Sequence, residues 1–435
     1  MCDRGRNAAH AQPKEERSIQ MSQKKIEEQQ RKILFAHFKA GTLERKMDTA
    51  YRGEETAETA KPSEPVEAAK TTETAETTES AKPVRYDYEF DFKYLLGNYY
   101  KAYQGDDYYN DMKDGCAEIN ELEGKTEHDP ILLWYIYKKI EENKKKENLF
   151  DCDSWNGSND LMDEIYDRLW RNKMDEKDKS LRNKFGGDTM NSFATTFKVF
   201  SGEESDEDSF RAYKKDIKSI ESEENKEREE NKKKKKFYDA LRKYAKLTGC
   251  LGNFVLVPKG FNAYRGLASA IKDYWDLSLH ELRYDRSGQG WLDQVDMPFN
   301  KYINLFFLWD YVSGKKNEGY RVRPLFKSHE AILMREKMVL PRKAEPSNED
   351  GEGASDDFSE FTKNANRCIL RRGAFMSTML RISAKYSDSY DKIVEYLATD
   401  ASLGSMEDVI EQLKALSLDE EAKGFLSKLS EELKI

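Results

Sequence analysis

A chain of 435 residues with 38% hydrophobic residues has room for two or three ordinary domains, but 36% charged residues and a mean hydropathy of −0.90 keep much of it in water. Its 73 basic and 82 acidic residues leave a net charge of −9, which excludes a global field drawing in nucleic acid and disfavours that partner. The five cysteines (Cys2, Cys116, Cys152, Cys250, Cys368) are odd in number, widely spaced and without a CxxC pair, so neither a disulfide framework nor a zinc ribbon is encoded.

That cysteine usage fits a reducing cytoplasm. No apolar run reaches the roughly 18 residues of a membrane span, and MCDRGRNAAHAQPKEERS lacks the core of a signal peptide. The expectation is a cytoplasmic protein without membrane contact. Residues 13–48 follow, rich in Lys, Glu, Gln and Arg, with Ile19, Ile26, Ile33 and Leu34 on a narrow helical stripe. This is a short coiled coil or a lone solvated helix, and in either form a candidate site for a protein partner. The Thr/Glu/Ala/Pro tract from Glu54 to Pro83 has no aromatic residue and cannot bury enough apolar area to offset chain entropy. Residues 1–83 are therefore expected to be a disordered N-terminal region acting as a tether.

Alternating aromatics and acids in VRYDYEFDFKY, Val84 to Tyr94, predict a strand and open a core domain over 84–383. Ile131 to Ile136 begin a helix, and Leu161, Ile165, Leu169 and Trp170 share the face of another, after Asn159 or Asp160 as cap. GGDTMNSFATTFKVF, Gly186 to Phe200, predicts a helix capped by Asp188 or Thr189. The run 203–235, acidic first and lysine-rich last, is expected to be a charged insertion, either a solvent-exposed helix or a flexible segment. Its KKKKK is weak evidence for nucleic acid because no aromatic residue interleaves it.

KFYDALRKYAKLTGC predicts a helix, then NFVLVP a strand ended by Pro258, then a loop turned by Gly260 and Gly266. IKDYWDLSLHEL, Ile271 to Leu282, has helical spacing, and YINLFFLWDYV, Tyr302 to Val312, is apolar all round and predicts one buried helix. A loop over 343–357 precedes FTKNANRCILRRGAFMSTMLRIS, whose apolar stripe runs beside Arg367, Arg371 and Arg372. Two amphipathic helices, with Ser405 and Ser417 as caps, form a C-terminal helical extension over 384–435. The fold class expected is α+β, helix-rich, with one core domain around a small sheet.

Four ordered blocks, GNFVLVPKGFNAYRG, IKDYWDLSL, YINLFFLWDYV and NANRCILRRGAFM, with GGDTMNSFATTF upstream, resemble a family of uncharacterised bacterial domains of unknown function. The resemblance spans about Tyr86 to Ser383. It implies a single domain running through the charged run and brings no activity, cofactor or catalytic residue.

Chemistry has few footholds. There is no GxxxxGK[ST], no GxGxxG after a strand, no HExxH and no GxSxG, and the five histidines lack metal-ligand spacing. FNAYRG with a later MSTML is loosely similar to the arginine motif and Ser-Thr-Ser strand of ADP-ribosyltransferases, matching Arg265 and Ser377. No ExE motif follows, and MSTMLRIS reads as helix. The remaining candidates are polar groups inside apolar blocks: Asn262, Tyr264 and Arg265 on the loop, Asp273 and Asp276 three apart on a helix, Asp310, and Arg371 and Arg372. Asp273 reads as a cap and Asp276 as the partner of an arginine. A buried charge needs a partner, so two arrangements compete. In the first, Arg265 pairs with Asp276 or Asp310, and Arg372 with Asp273. In the second, Arg265 and Arg371 clamp an anionic small molecule. The first belongs to a binding or regulatory module, the second to an enzyme or nucleotide sensor, with cofactor unknown.

Overall fold

The computed structural model describes residues 131, 135, 165–171, 184–201, 203, 205–220, 229–248, 250–267, 274–285, 287–333 and 353–433. The N-terminal region with its coiled coil, the strand at Val84 to Tyr94, the first turn around Leu161 with its caps, Asp273, and most of the 343–357 loop lie outside these residues. Within them the fold is helix-rich α+β. A π-helical turn, Asp167–Arg171, leads to β1 (Phe185–Thr189), α1 (Phe193–Ser201), α2 (Asp206–Ile220) and α3 (Glu229–Thr248). A 3-10 turn, Leu251–Asn253, then enters β2 (Phe254–Pro258), α4 (Phe261–Leu267), α5 (Trp275–Tyr284) and α6 (Phe299–Leu305). The short strands β3 (Val312–Ser313) and β4 (Arg321–Val322) precede α7 (Lys327–Leu333), α8 (Gly353–Lys385), α9 (Ser387–Leu397), α10 (Met406–Lys414) and α11 (Glu420–Glu432).

The strand expected at Phe254 to Pro258 is present, and every residue of it is buried. Its partner is not the expected helix cap: Gly186 to Thr189 belong to β1, antiparallel to β2 with Phe185 opposite Pro258 and Thr189 opposite Phe254. The physical reason lies in the ends of the pairing. Met190 N–H donates to the Asn253 carbonyl at 2.8 Å, while the Asn253 side chain accepts from Asn191 N–H at 3.1 Å and donates to the Asn191 carbonyl at 2.9 Å. That reciprocal pair stops the ladder and turns the chain into α1.

The charged run does not stand free of the core. In α2, Phe210, Tyr213 and Ile220 are buried on one face, and Phe210 stacks on Tyr135 with ring centroids 3.7 Å apart. Asp216 meets Lys234 and Tyr238, and Tyr213 meets Arg242, so α2 and the start of α3 run antiparallel. A three-to-four-residue apolar period inside the charges sufficed to seat the helix, which corrects the solvated-insertion expectation for residues 206–220.

The helix expected over Tyr302 to Val312 is also corrected. α6 ends at Leu305, because Leu308 N–H reaches back to the Ile303 carbonyl at 3.0 Å around Phe307, which sits at φ 59°. That is the Schellman stop, made here with a phenylalanine where glycine is usual. The ring is held by Trp170, Trp309 and Phe375, which packs it firmly enough to offset the left-handed backbone. Asn304 fixes the same corner: its amide donates to the carbonyls of Thr399 and Ala401, and its oxygen accepts from Trp309 Nε1 and the Tyr320 hydroxyl.

α8 is the central element, 33 residues long, and begins at Gly353, so the end of the expected loop is helical. Its middle lies against the Leu251–Asn253 turn so closely that a Cβ on Gly252 would sit 1.9 Å from the Ile369 carbonyl oxygen and 2.7 Å from the Gly373 nitrogen. The C-terminal helices pack on α8. α10 starts at Ser405 with the capping box expected there, completed by Asp408, whereas α11 is capped by Asp419 and not by Ser417. Tyr390 of α9 donates to the Leu169 carbonyl at 2.7 Å, tying the C-terminal helices to the π turn.

Candidate functional site

The loop carrying Asn262, Tyr264 and Arg265 is in fact α4, and Gly266, expected to turn the chain, is one of its residues; only Gly260, at φ 87°, makes a turn. The helix points these side chains in different directions. Asn262 is exposed and Tyr264 half-buried, its phenol pushed up by burial and then by the nearby Glu281. Arg265 turns inward and is fully buried. Its guanidinium donates to the Asp188 carboxylate, to the Thr189 carbonyl at 3.1 Å and to the Met190 carbonyl at 2.9 Å, with Trp275 beneath it. The expected partners of Arg265, Asp276 and Asp310, are therefore replaced by Asp188, a residue first taken for a helix cap.

Asp276 serves a different centre. Its carboxylate accepts from its neighbour Leu277 N–H at 2.9 Å and Leu325 N–H at 2.8 Å, and lies 2.8 Å from His329 Nδ1. The carboxylate accepts, so Nδ1 carries the proton. Histidine rather than arginine thus occupies the expected place, because α7 brings His329 over the start of α5. The ring lies between Tyr274 and Phe326, and its Nε2 has no partner among the described residues.

Among the described residues Arg372 is buried beside no carboxylate, and Asp273, its expected partner, lies outside them. Arg372 donates to the carbonyls of Phe306 and Gly252 at 2.9 Å and of Phe254 at 2.5 Å, three acceptors from the two turns that face α8. Burial pulls it down to about 10, so it remains a cation at neutral pH. Arg371, one residue earlier, faces the other way. Its Nε donates to Asp310 at 2.8 Å, Nη2 to Glu407 at 2.6 Å and Nη1 to the Leu433 carbonyl at 3.0 Å. Burial raises Asp310 above the usual carboxylate range, with Arg371 pulling against it.

The candidates consequently divide into separate centres. Arg371 and Asp310 come together, as two of the residues singled out in the sequence. Arg265 and Arg371 are each engaged by their own carboxylate, which is the structural pairing of the two competing arrangements, with different partners for Arg265. Ser377 is buried inside α8, away from any strand, and removes the structural basis of the likeness to ADP-ribosyltransferases. The roles of Asp188 and His329 were missed: the first reads as a helix cap after a glycine pair, the second is an isolated histidine 53 residues from its partner.

Among the described residues no group of three or more side chains could hold a metal ion, and no helix is long and apolar enough to cross a membrane. Comparison with protein-family models, with curated proteins and with solved structures returns no match to this chain.

Proposed function

We propose that the chain is a protein-binding or regulatory module of the cytoplasm, not an enzyme or nucleotide sensor built on its central arginines. The observation that carries this reading is the occupation of those arginines. Arg265, Arg371 and Arg372 are engaged by Asp188, by Asp310 and Glu407, and by three backbone carbonyls. A phosphate entering such a site would have to displace a buried carboxylate, leaving that charge uncompensated. The resemblance to a bacterial family without assigned activity is compatible with this role and adds nothing to it. The partner-binding element we assign is the helical stripe of residues 13–48, carried on the Glu54 to Pro83 tether.

Thermal unfolding of the full chain with nucleotides, phosphorylated metabolites and divalent metals is expected to give no saturable rise in midpoint. A rise abolished by Arg371→Ala would overturn the reading in favour of the sensor. Affinity capture with the full chain and with a chain lacking residues 1–83 completes the test. Partners that depend on those residues support the module, and identical recoveries refute their role.

A further inference from the structure

The same surface that closes Arg371 leaves other cations open. Along α8, Lys363 and Arg367 are exposed and stand eight and four residues before Arg371, so the three share one helix face. Beside them runs the β3–β4 hairpin. Arg323 N–H donates to the Tyr311 carbonyl at 2.9 Å, and the Cys368 thiol of α8 contacts the Asp310 carbonyl at 3.6 Å. The 310–311 backbone therefore lies between β4 and α8, with Arg323 on one side and Arg367 on the other. Arg321, two residues before Arg323, projects to the same side of the ribbon.

Arg321, Arg323, Lys363 and Arg367 make no side-chain hydrogen bond or ion pair among the described residues, and all four are exposed. Asp310 and Glu407, beside Arg367 on the Arg371 side of α8, are both held by Arg371, and Glu360, three residues before Lys363, accepts from Lys327 N–H. Four unpaired cations thus surround one neutralised centre, in a molecule whose net charge is −9. Such a segregated basic surface on an acidic protein is a means of choosing a partner by charge.

The geometry points to this surface as the docking site for an acidic segment of a partner polypeptide. The inference rests on the binding-module reading and gives it a surface and a partner chemistry. Carboxylate side chains suit the open guanidinium forks, which take them in bidentate fashion. A polynucleotide suits the surface less well. Tyr311 and Tyr320 are buried and unable to stack on a base.

Anisotropy titrations of the full chain with a labelled Glu/Asp-rich peptide test this, run at low and raised salt beside a single-stranded oligonucleotide of equal charge. Saturable, salt-sensitive peptide binding is expected. The double variant Arg323→Glu/Arg367→Glu should weaken it by about tenfold or more, and Lys243→Glu on the exposed face of α3 should leave it unchanged. The unfolding midpoint of the double variant checks its fold, and Arg323→Gln/Arg367→Gln replaces it should charge reversal disturb the structure. No binding at low salt, binding indifferent to these variants, or tighter binding of the oligonucleotide would overturn the inference. Absent peptide binding with capture through residues 1–83 retained sinks the inference alone and leaves the module reading standing.

Discussion

Arg265 and Asp188 are the clearest case of a charge pair that holds a fold together. Both are nearly inaccessible, with side-chain exposures of 1% and 5%, and together they fasten α4 to β1. Deleting either partner strands the other charge in the interior, at a cost of about 3–5 kcal/mol. Arg265→Ala and Asp188→Ala should each lower stability in urea unfolding by this order. The double variant should lose less than the sum of the two, by about 1 kcal/mol or more; strictly additive losses would mean that the pair is not energetically coupled. The need for a partner was legible in the sequence, since an arginine amid Phe261, Tyr264 and Leu267 has to be compensated. The identity of the partner was not, because it lies 77 residues away in a stretch where an aspartate after two glycines reads as a helix cap.

At the scale of elements, the least replaceable contact is the one between the Leu251–Asn253 turn and α8. Gly252 is needed there for what it lacks: any side chain would collide with the helix backbone, which cannot move without disrupting its own hydrogen bonds. The same glycine carbonyl accepts from Arg372, so separating the two elements would also break that bond. Gly252→Ala is expected to cost about 3 kcal/mol or more, whereas Gly424→Ala, on α11 with open space around the added methyl, should be neutral or slightly stabilising. Equal effects in thermal denaturation would show that the close approach is not real. Elements with a single clear signal were legible in the sequence. Phe254 to Pro258 is an apolar run bounded by a glycine turn and a proline, and Ser405 stands three residues before Asp408. Elements decided by distant partners were not. YINLFFLWDYV satisfies the pattern of a buried helix, but the bonds of Asn304 to residues near position 400 and the packing of Phe307 break it after Leu305.

Over the whole molecule, segments far apart in sequence share one core. α8 touches the π turn, α3, the 3-10 turns, α7, α9 and α11. Arg371 reaches Glu407 and the Leu433 carbonyl, and Tyr390 reaches Leu169. Ending the chain after Lys385 should therefore uncover the apolar faces of α8 and strip Asp310 and Arg371 of half their network. Dye binding to exposed apolar surface and a lowered, broadened unfolding transition are the expected results; an unchanged midpoint would show the last helices to be dispensable.

The length of α8 has a consequence for biosynthesis. At 1.5 Å per residue its 33 residues extend on the order of 50 Å, and α3, α7 and the Leu251–Asn253 turn all pack against it. While the ribosome is still making residues up to Gly353, β2 already has β1 beside it, but the Leu251–Asn253 turn and the face of α3 that packs on α8 have no surface on which to close. The nascent chain must carry them unsheltered until Lys385 has emerged. A protein arranged in this way folds late, and its dependence on chaperones during synthesis should exceed what its finished stability would suggest.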